Sequence, residues 1–301
     1  MSEGVKIIST FYRNLLSEKT QIKVEKVILY IAIFSFLIHL SIIYIGKLYG
    51  NIFLENSGLF ENPISAIYTP FSFILIYEVY LLIYYLPRSF TTYITKQYEI
   101  ITLIIIRKLF KDLSSIELST DWFQIGDDVQ FTYDLLASLI LFYLIFQFQK
   151  QGKLKFRKYE PSNQNIANFI EKKKMISLML VPIFFFMASY TLINWLSGFS
   201  LNDEIIPSFD SINSLFFDQF FTLLILIDVI LLLISFFYTD KFHKIIRNSG
   251  FIVSTILIRM SFSTSGLISN ILIVSAVVYG LIIILIHNEY EKNAQKRILK
   301  D

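Results

Sequence analysis

Long apolar runs alternate along this chain with short polar connections that carry most of its charges. Several runs approach 20 residues, about the length that an α-helix needs to cross the hydrocarbon core of a bilayer. The third and seventh runs are short for a crossing. The pattern predicts an all-α polytopic membrane protein with about eight transmembrane helices, at about 27–46, 69–87, 98–112, 134–149, 175–196, 217–238, 249–263 and 266–287.

The distribution of basic residues predicts an orientation for these helices. Most of the 27 Lys and Arg residues lie before the first run, after every second run and in the tail, whereas the other connections are acidic. Connections rich in Lys and Arg stay in the cytoplasm. Both termini are therefore expected to be cytoplasmic, and the cell membrane is the expected location.

Rare polar residues recur in register in the two halves of the chain. Glu78 and Asp228 lie 150 positions apart within apolar runs, and Arg107 and Arg259 lie 152 positions apart at the ends of apolar runs. An even number of spans per unit gives two parallel units, related by an axis along the membrane normal. The register predicts two four-span repeats, 27–149 and 175–287.

Three polar segments flank or join these repeats. Residues 1–26 combine apolar positions at helical spacing with basic residues, which indicates a cytoplasmic amphipathic helix on the membrane surface. The basic linker 150–174 is expected to be solvated near anionic lipid head groups. Residues 288–301 form a cytoplasmic tail. The expected partners are the bilayer, anionic lipid at the basic inner face, and a second copy or another membrane subunit.

The charges inside apolar runs are the candidate site. Each costs about 2.5–3.5 kcal/mol at the centre of a membrane helix on insertion scales. The helix rise places Glu78 and Arg107 at depths that a guanidinium can bridge, so we expect an ion pair. Asp228 and Arg259 match less well in depth. His39, in the middle of the first run, is either a proton relay or a hydrogen-bonded packing residue.

Other chemistry finds little support in the sequence. The absence of Cys excludes thiolate ligands, disulfides and thiol catalysis. No His or carboxylate pair stands out at metal-ligand spacing, so we expect neither a metal nor a cofactor. No HExxH, GxSxG or phosphate-binding motif is present, which argues against an enzyme. The net charge of +3 is too small to indicate nucleic acid binding.

Two functional hypotheses remain open at this point. The first is a transporter or channel for a small ion or solute that uses the acid/Arg pairs at the interface between the repeats. The alternative is a non-transporting membrane subunit or sensor that acts through protein partners, with purely structural ion pairs. Flux through the purified chain discriminates between them.

Overall fold

The computed structural model describes residues 10–49, 63–115, 126–154, 164–197, 209–239, 241–264 and 266–298. These residues form helices and connecting turns, with no strand among them. A short 3₁₀ helix, Pro63–Ile67, precedes the second long helix. The helices of 18 residues or more are α1 (Glu18–Tyr49), α2 (Tyr68–Tyr85), α3 (Phe90–Ser115), α4 (Gly126–Gly152), α5 (Gln164–Ser197), α6 (Phe209–Phe236), α7 (Phe242–Ser261) and α8 (Gly266–Ile298).

Each predicted apolar run falls on one of these helices, so the all-α prediction is confirmed. Five helices, α1, α4, α5, α6 and α8, are long and apolar enough to cross a membrane. Helix α2 contains a shorter apolar stretch, Thr69–Tyr85. Helices α3 and α7, which carry the two short runs, contain more polar residues and do not belong to that set. The chain therefore has the character of a helical membrane protein, and the number of eight crossings stays a prediction.

Many large apolar side chains lie on the surface of the helices that are long enough to cross a membrane. Tyr30 and Phe34 of α1 are 73% and 66% exposed, and Phe185 and Phe186 of α5 are each 72% exposed. Continuous exposed apolar surface is rare on soluble monomers and marks contact with a membrane or a partner. These faces fit contact with lipid.

The contacts divide the chain into two compact units. The first takes its described residues from Met1–Tyr84, Arg107–Glu117 and Met175–Phe221. The second takes its described residues from Tyr85–Ile106, Leu118–Lys174 and Thr222–Asp301. The duplication into repeats 27–149 and 175–287 stays a prediction.

In the first unit, polar contacts fix the start of α1 and hold it against α2. The Ser17 hydroxyl accepts a hydrogen bond from the backbone N–H of Thr20 at 3.2 Å, which satisfies a donor at the helix N-terminus. The Gln21 amide donates to the Tyr77 hydroxyl at 2.6 Å, and that hydroxyl donates to Glu25 at 2.9 Å. These bonds join the N-terminal part of α1 to the C-terminal half of α2.

In the second unit, one buried polar contact brings α3 close to α7 and α8. The Tyr98 hydroxyl lies 2.7 Å from the Ser254 hydroxyl, which donates to the backbone carbonyl of Ala276 at 2.6 Å. Gly280 leaves the space that the Tyr98 hydroxyl occupies, because a Cβ atom there would overlap it. This close approach fixes the position of α3, which carries Tyr93 and Gln97 of the candidate site.

Candidate functional site

Glu78 and Arg107 form a buried ion pair in the first unit. The Arg107 Nη2 atom donates to Glu78 Oε2 at 3.0 Å, and the two side chains are 14% and 3% exposed. The guanidinium carbon also lies 6.0 Å from the centre of the Phe71 ring, within range of a cation–π interaction. The ion pair predicted from helix depth is therefore present, between α2 and α3.

Asp228 lies on α6 and is 2% exposed. The Gln97 amide, on α3, donates to Asp228 Oδ2 at 3.1 Å. Tyr93, one turn earlier on α3, presents its hydroxyl near the same carboxylate. Neither that hydroxyl nor Asp228 Oδ1 makes a hydrogen bond of standard geometry. The carboxylate thus keeps one oxygen atom with unused capacity to accept a proton or a hydrogen bond.

Lys173 brings a positive charge to this carboxylate. Its side chain is 1% exposed, and its Nζ atom donates to the backbone carbonyl of Arg88 at 2.7 Å. Nζ also lies 4.6 Å from the centre of the Phe90 ring and 5.7 Å from that of Phe169. The ammonium attracts Asp228 electrostatically without a direct ion pair. We call Asp228, Gln97, Tyr93 and Lys173 the Asp228 cluster.

The prediction that linker lysines are solvated is wrong for Lys173. Its neighbours Lys172 and Lys174 are exposed, whereas Lys173 faces the protein interior. Three consecutive lysines carry no signal that tells which of them points inward, because that depends on the helix that packs against them.

Asp228 and Arg259, whose predicted depths in the membrane match less well, do not form an ion pair with each other. Within the part of the chain that the structure describes, the contacts of Asp228 are to Gln97, Tyr93 and Lys173 and do not include Arg259. Arg259 lies in the last turn of α7. A basic residue there interacts favourably with the partial negative charge at the helix C-terminus. Asp228 has a short side chain, and the polar residues of α3 and α5 surround it instead.

His39 is buried and makes a hydrogen bond to a neighbouring helix. Its Nδ1 atom lies 2.5 Å from the hydroxyl oxygen of Thr69, at the start of α2. A hydrogen bond of this kind holds α1 against α2. Both roles predicted for His39, packing residue and proton relay, stay predictions.

Asp134 is a third buried carboxylate, which the sequence analysis missed. It is fully buried on α4. The Gln130 amide donates to its Oδ1 atom at 2.6 Å, and the Asn270 amide donates to the same oxygen. Asp134 begins the fourth apolar run, so its position in the sequence was that of a boundary residue.

A cluster of possible metal ligands also escaped the sequence analysis. His243, His287 and Glu291 each offer one ligand atom, and these atoms lie within 4.8 Å of one another. His287 and Glu291 are four residues apart on α8, a spacing that places two side chains on one helix face. The expectation that no such pair exists overlooked this spacing.

The known proteins offer no guide to these sites. No protein-family model, curated protein or solved structure matches this chain.

Proposed function

We propose that this chain is an integral membrane transporter or channel for a small ion or solute, with Asp228 and Glu78 on its polar pathway. The observation that carries the proposal is the Asp228 cluster. It combines a carboxylate with an unsatisfied oxygen atom and a fully buried ammonium group, and both groups lie on helices apolar enough to cross a membrane.

The energetic cost of this arrangement supports a functional role. Buried ion pairs contribute little to stability, and apolar side chains of similar size often serve as well or better. Ionisable residues inside membrane helices face the interior of the bundle and mark ion or proton pathways. Burial of Asp228 and Lys173 near each other costs free energy of desolvation. Apolar side chains at these positions would avoid that cost, so stability does not account for the two charges.

The position of Lys173 favours the proton as the transported or coupling ion. A sodium or potassium ion at Asp228 needs several oxygen ligands and must share the carboxylate with the ammonium group nearby. A proton needs only the free lone pair of Asp228 Oδ1 and adds no bulk. Binding of a proton also weakens the attraction between Asp228 and Lys173, which couples the charge of the site to the packing of α5 and α6.

The proposal extends to the membrane arrangement. We propose eight crossings with both termini in the cytoplasm, in two parallel four-helix repeats, with the basic linker 150–174 against anionic lipid except at Lys173, which is buried. The Lys and Arg bias of the connections supports the orientation. In this arrangement Gln97 belongs to the first repeat and Asp228 to the second, so their hydrogen bond joins the two.

Purified protein in liposomes tests the proposal. We expect the chain alone, without any partner, to carry flux down a proton gradient that exceeds the leak of protein-free liposomes. A fluorescent pH probe inside the liposomes reports proton flux, and parallel sodium and potassium gradients with matching probes identify the ion. The Glu289→Gln variant is the control, because Glu289 is an exposed carboxylate near the end of α8.

The outcome separates the two hypotheses. Flux in the wild type and in the Glu289→Gln control, under any one gradient, supports a transporter or channel. No flux of any of the three ions above the leak contradicts the proposed ion pathway and favours the membrane subunit or sensor that acts through partners.

A further inference from the structure

The cluster of His243, His287 and Glu291 lies in the second unit, where α7 begins and where α8 approaches its end. His243 Nε2 lies 3.0 Å from Glu291 Oε1, and His287 Nε2 lies 4.0 Å from the same oxygen. The two imidazole rings are 5.2 Å apart between centres. The transport hypothesis assigns no role to any of these three residues.

The spacing of the three ligand atoms fits a metal ion. Ligand atoms about 2.0–2.1 Å from a tetrahedral zinc ion are roughly 3.3–3.5 Å from each other. The two distances to Glu291 Oε1 lie on either side of that range, and all three ligand atoms lie within 4.8 Å of one another, so side-chain rotations that close the longer distances bring them into place. Two imidazoles and one carboxylate form a ligand set that favours zinc and similar transition metals over calcium or magnesium.

The side chains are placed to admit an ion from solution. His287 is 9% exposed, whereas His243 and Glu291 are 17% and 26% exposed. One side of the cluster is therefore held by the protein and another is exposed. A water molecule can supply the fourth ligand, as it does in zinc sites with three protein ligands.

The second ring nitrogen of His287 also has an unused capacity for a hydrogen bond. Its Nδ1 atom is buried and makes no hydrogen bond of standard geometry, although the His243 backbone is near the ring. Imidazoles that bind metals usually donate their other N–H group to a carbonyl or carboxylate, which fixes the ring. A small rotation that aims Nε2 at a shared ion can also bring Nδ1 to that backbone.

Arg247 makes a hydrogen bond that opposes metal binding at His287. Its Nη1 atom donates to His287 Nε2 at 3.1 Å, so it occupies the lone pair that a metal needs. Its Nε and Nη2 atoms donate to Asn248 Oδ1 at 3.2 and 2.9 Å. The guanidinium can therefore give up His287 and keep its other bonds. Lys244 is a second positive charge that acts on Glu291.

We propose that His243, His287 and Glu291 bind one divalent transition-metal ion of the zinc type, which links α7 to α8, and that Arg247 competes with the ion for His287. The ion joins the start of α7 to the last turns of α8, and its affinity is limited by the positive charges of Arg247 and Lys244. This proposal does not depend on the proposed transport function.

Zinc titration of the full chain tests this site. The protein is prepared without a polyhistidine tag and washed with chelator, and zinc binding is followed by calorimetry in detergent. We expect one ion per chain and a raised melting temperature. Cobalt in place of zinc is expected to give the visible absorption of a site with nitrogen and oxygen ligands.

Matched variants decide whether these residues form the site. We expect His243→Gln and Glu291→Gln to weaken zinc binding at least tenfold, whereas Glu289→Gln, two residues from Glu291 on the same helix, leaves it unchanged. Arg247→Gln is expected to tighten binding about tenfold, because it removes the competing guanidinium. The proposal is overturned if the folded wild type binds no zinc in stoichiometric amount, or if His243→Gln and Glu291→Gln bind it as tightly as the wild type.

Discussion

Replacement of Glu78 by Gln alone is expected to lower the free energy of unfolding by about 3–5 kcal/mol, the range for breaking a buried ion pair by removing one partner. The change leaves the Arg107 guanidinium buried without its counter-charge. The double variant Glu78→Gln/Arg107→Gln removes both charges and is expected to be more stable than Glu78→Gln alone. Denaturation in mixed detergent micelles, followed by circular dichroism, measures the difference.

The comparison of single and double variants isolates the ion pair. If the two charges interact, the double variant loses less stability than the sum of Glu78→Gln and Arg107→Gln. A double variant whose loss equals that sum contradicts an energetic coupling between the two charges, whatever the size of each single effect.

Replacement of Lys173 by Met is the second change with a large expected effect. Met keeps much of the length of the side chain but removes the hydrogen bond to the Arg88 carbonyl, and bonds of charged groups are worth about 1.5–3 kcal/mol each. The loss of the cation–π contacts with Phe90 and Phe169 adds to that. Asp228 would also remain buried without a positive charge nearby, so Lys173→Met is expected to destabilise strongly.

The partner variant tests the electrostatic part of this account. Asp228→Asn in the Lys173→Met background is expected to restore part of the lost stability, because it removes the isolated negative charge. Lys172→Met is the matched control, since that neighbouring lysine is exposed and its ammonium contact with the Tyr238 ring, 5.3 Å from the centre, is expected to contribute only about 0.5–1 kcal/mol. Equal losses in Lys173→Met with and without Asp228→Asn would show that Lys173 does not stabilise the carboxylate.

The sequence was sufficient to predict the helices and one of the buried contacts. Apolar runs of helical length determine where a chain can cross a membrane, and every predicted run lies on a helix, although three of the runs end two residues beyond it. The Glu78–Arg107 pair was also predictable, because depth along two consecutive helices follows from the helix rise alone. Each of the two charges needed a counter-charge inside the membrane. The long side chain of Arg107 can reach Glu78 even when the depths of the two residues differ by several ångströms.

The Asp228 cluster was not predictable in the same way. Its members come from α3, α5 and α6, and only tertiary packing decides which face of each helix turns inward. Gln97 and Tyr93 are common residues that become informative only when a carboxylate is found beside them. Lys173 looked like one of three equivalent lysines. The register of Asp228 with Glu78 therefore pointed to a carboxylate that is buried, but to the wrong partner, Arg259.

The histidine cluster also depends on tertiary packing that the sequence does not show. His243 and His287 are distant in sequence, and only the packing of α7 against α8 brings their rings together. The i, i+4 spacing of His287 and Glu291 was visible in the sequence. By itself, however, it supplied two ligands rather than three, and the third lay on a different helix.

The central claim is that Asp228 carries the transported charge, and proton flux through Asp228→Asn tests it most directly. The variant keeps the size of the side chain and its ability to accept the bond from Gln97. Wild type, Asp228→Asn and Glu289→Gln are compared in liposomes at equal protein content, after each is shown to be folded by its melting temperature. The account predicts flux in the wild type and in Glu289→Gln, with Asp228→Asn reduced to the leak of empty liposomes. Proton flux in folded Asp228→Asn equal to that of the wild type would contradict it.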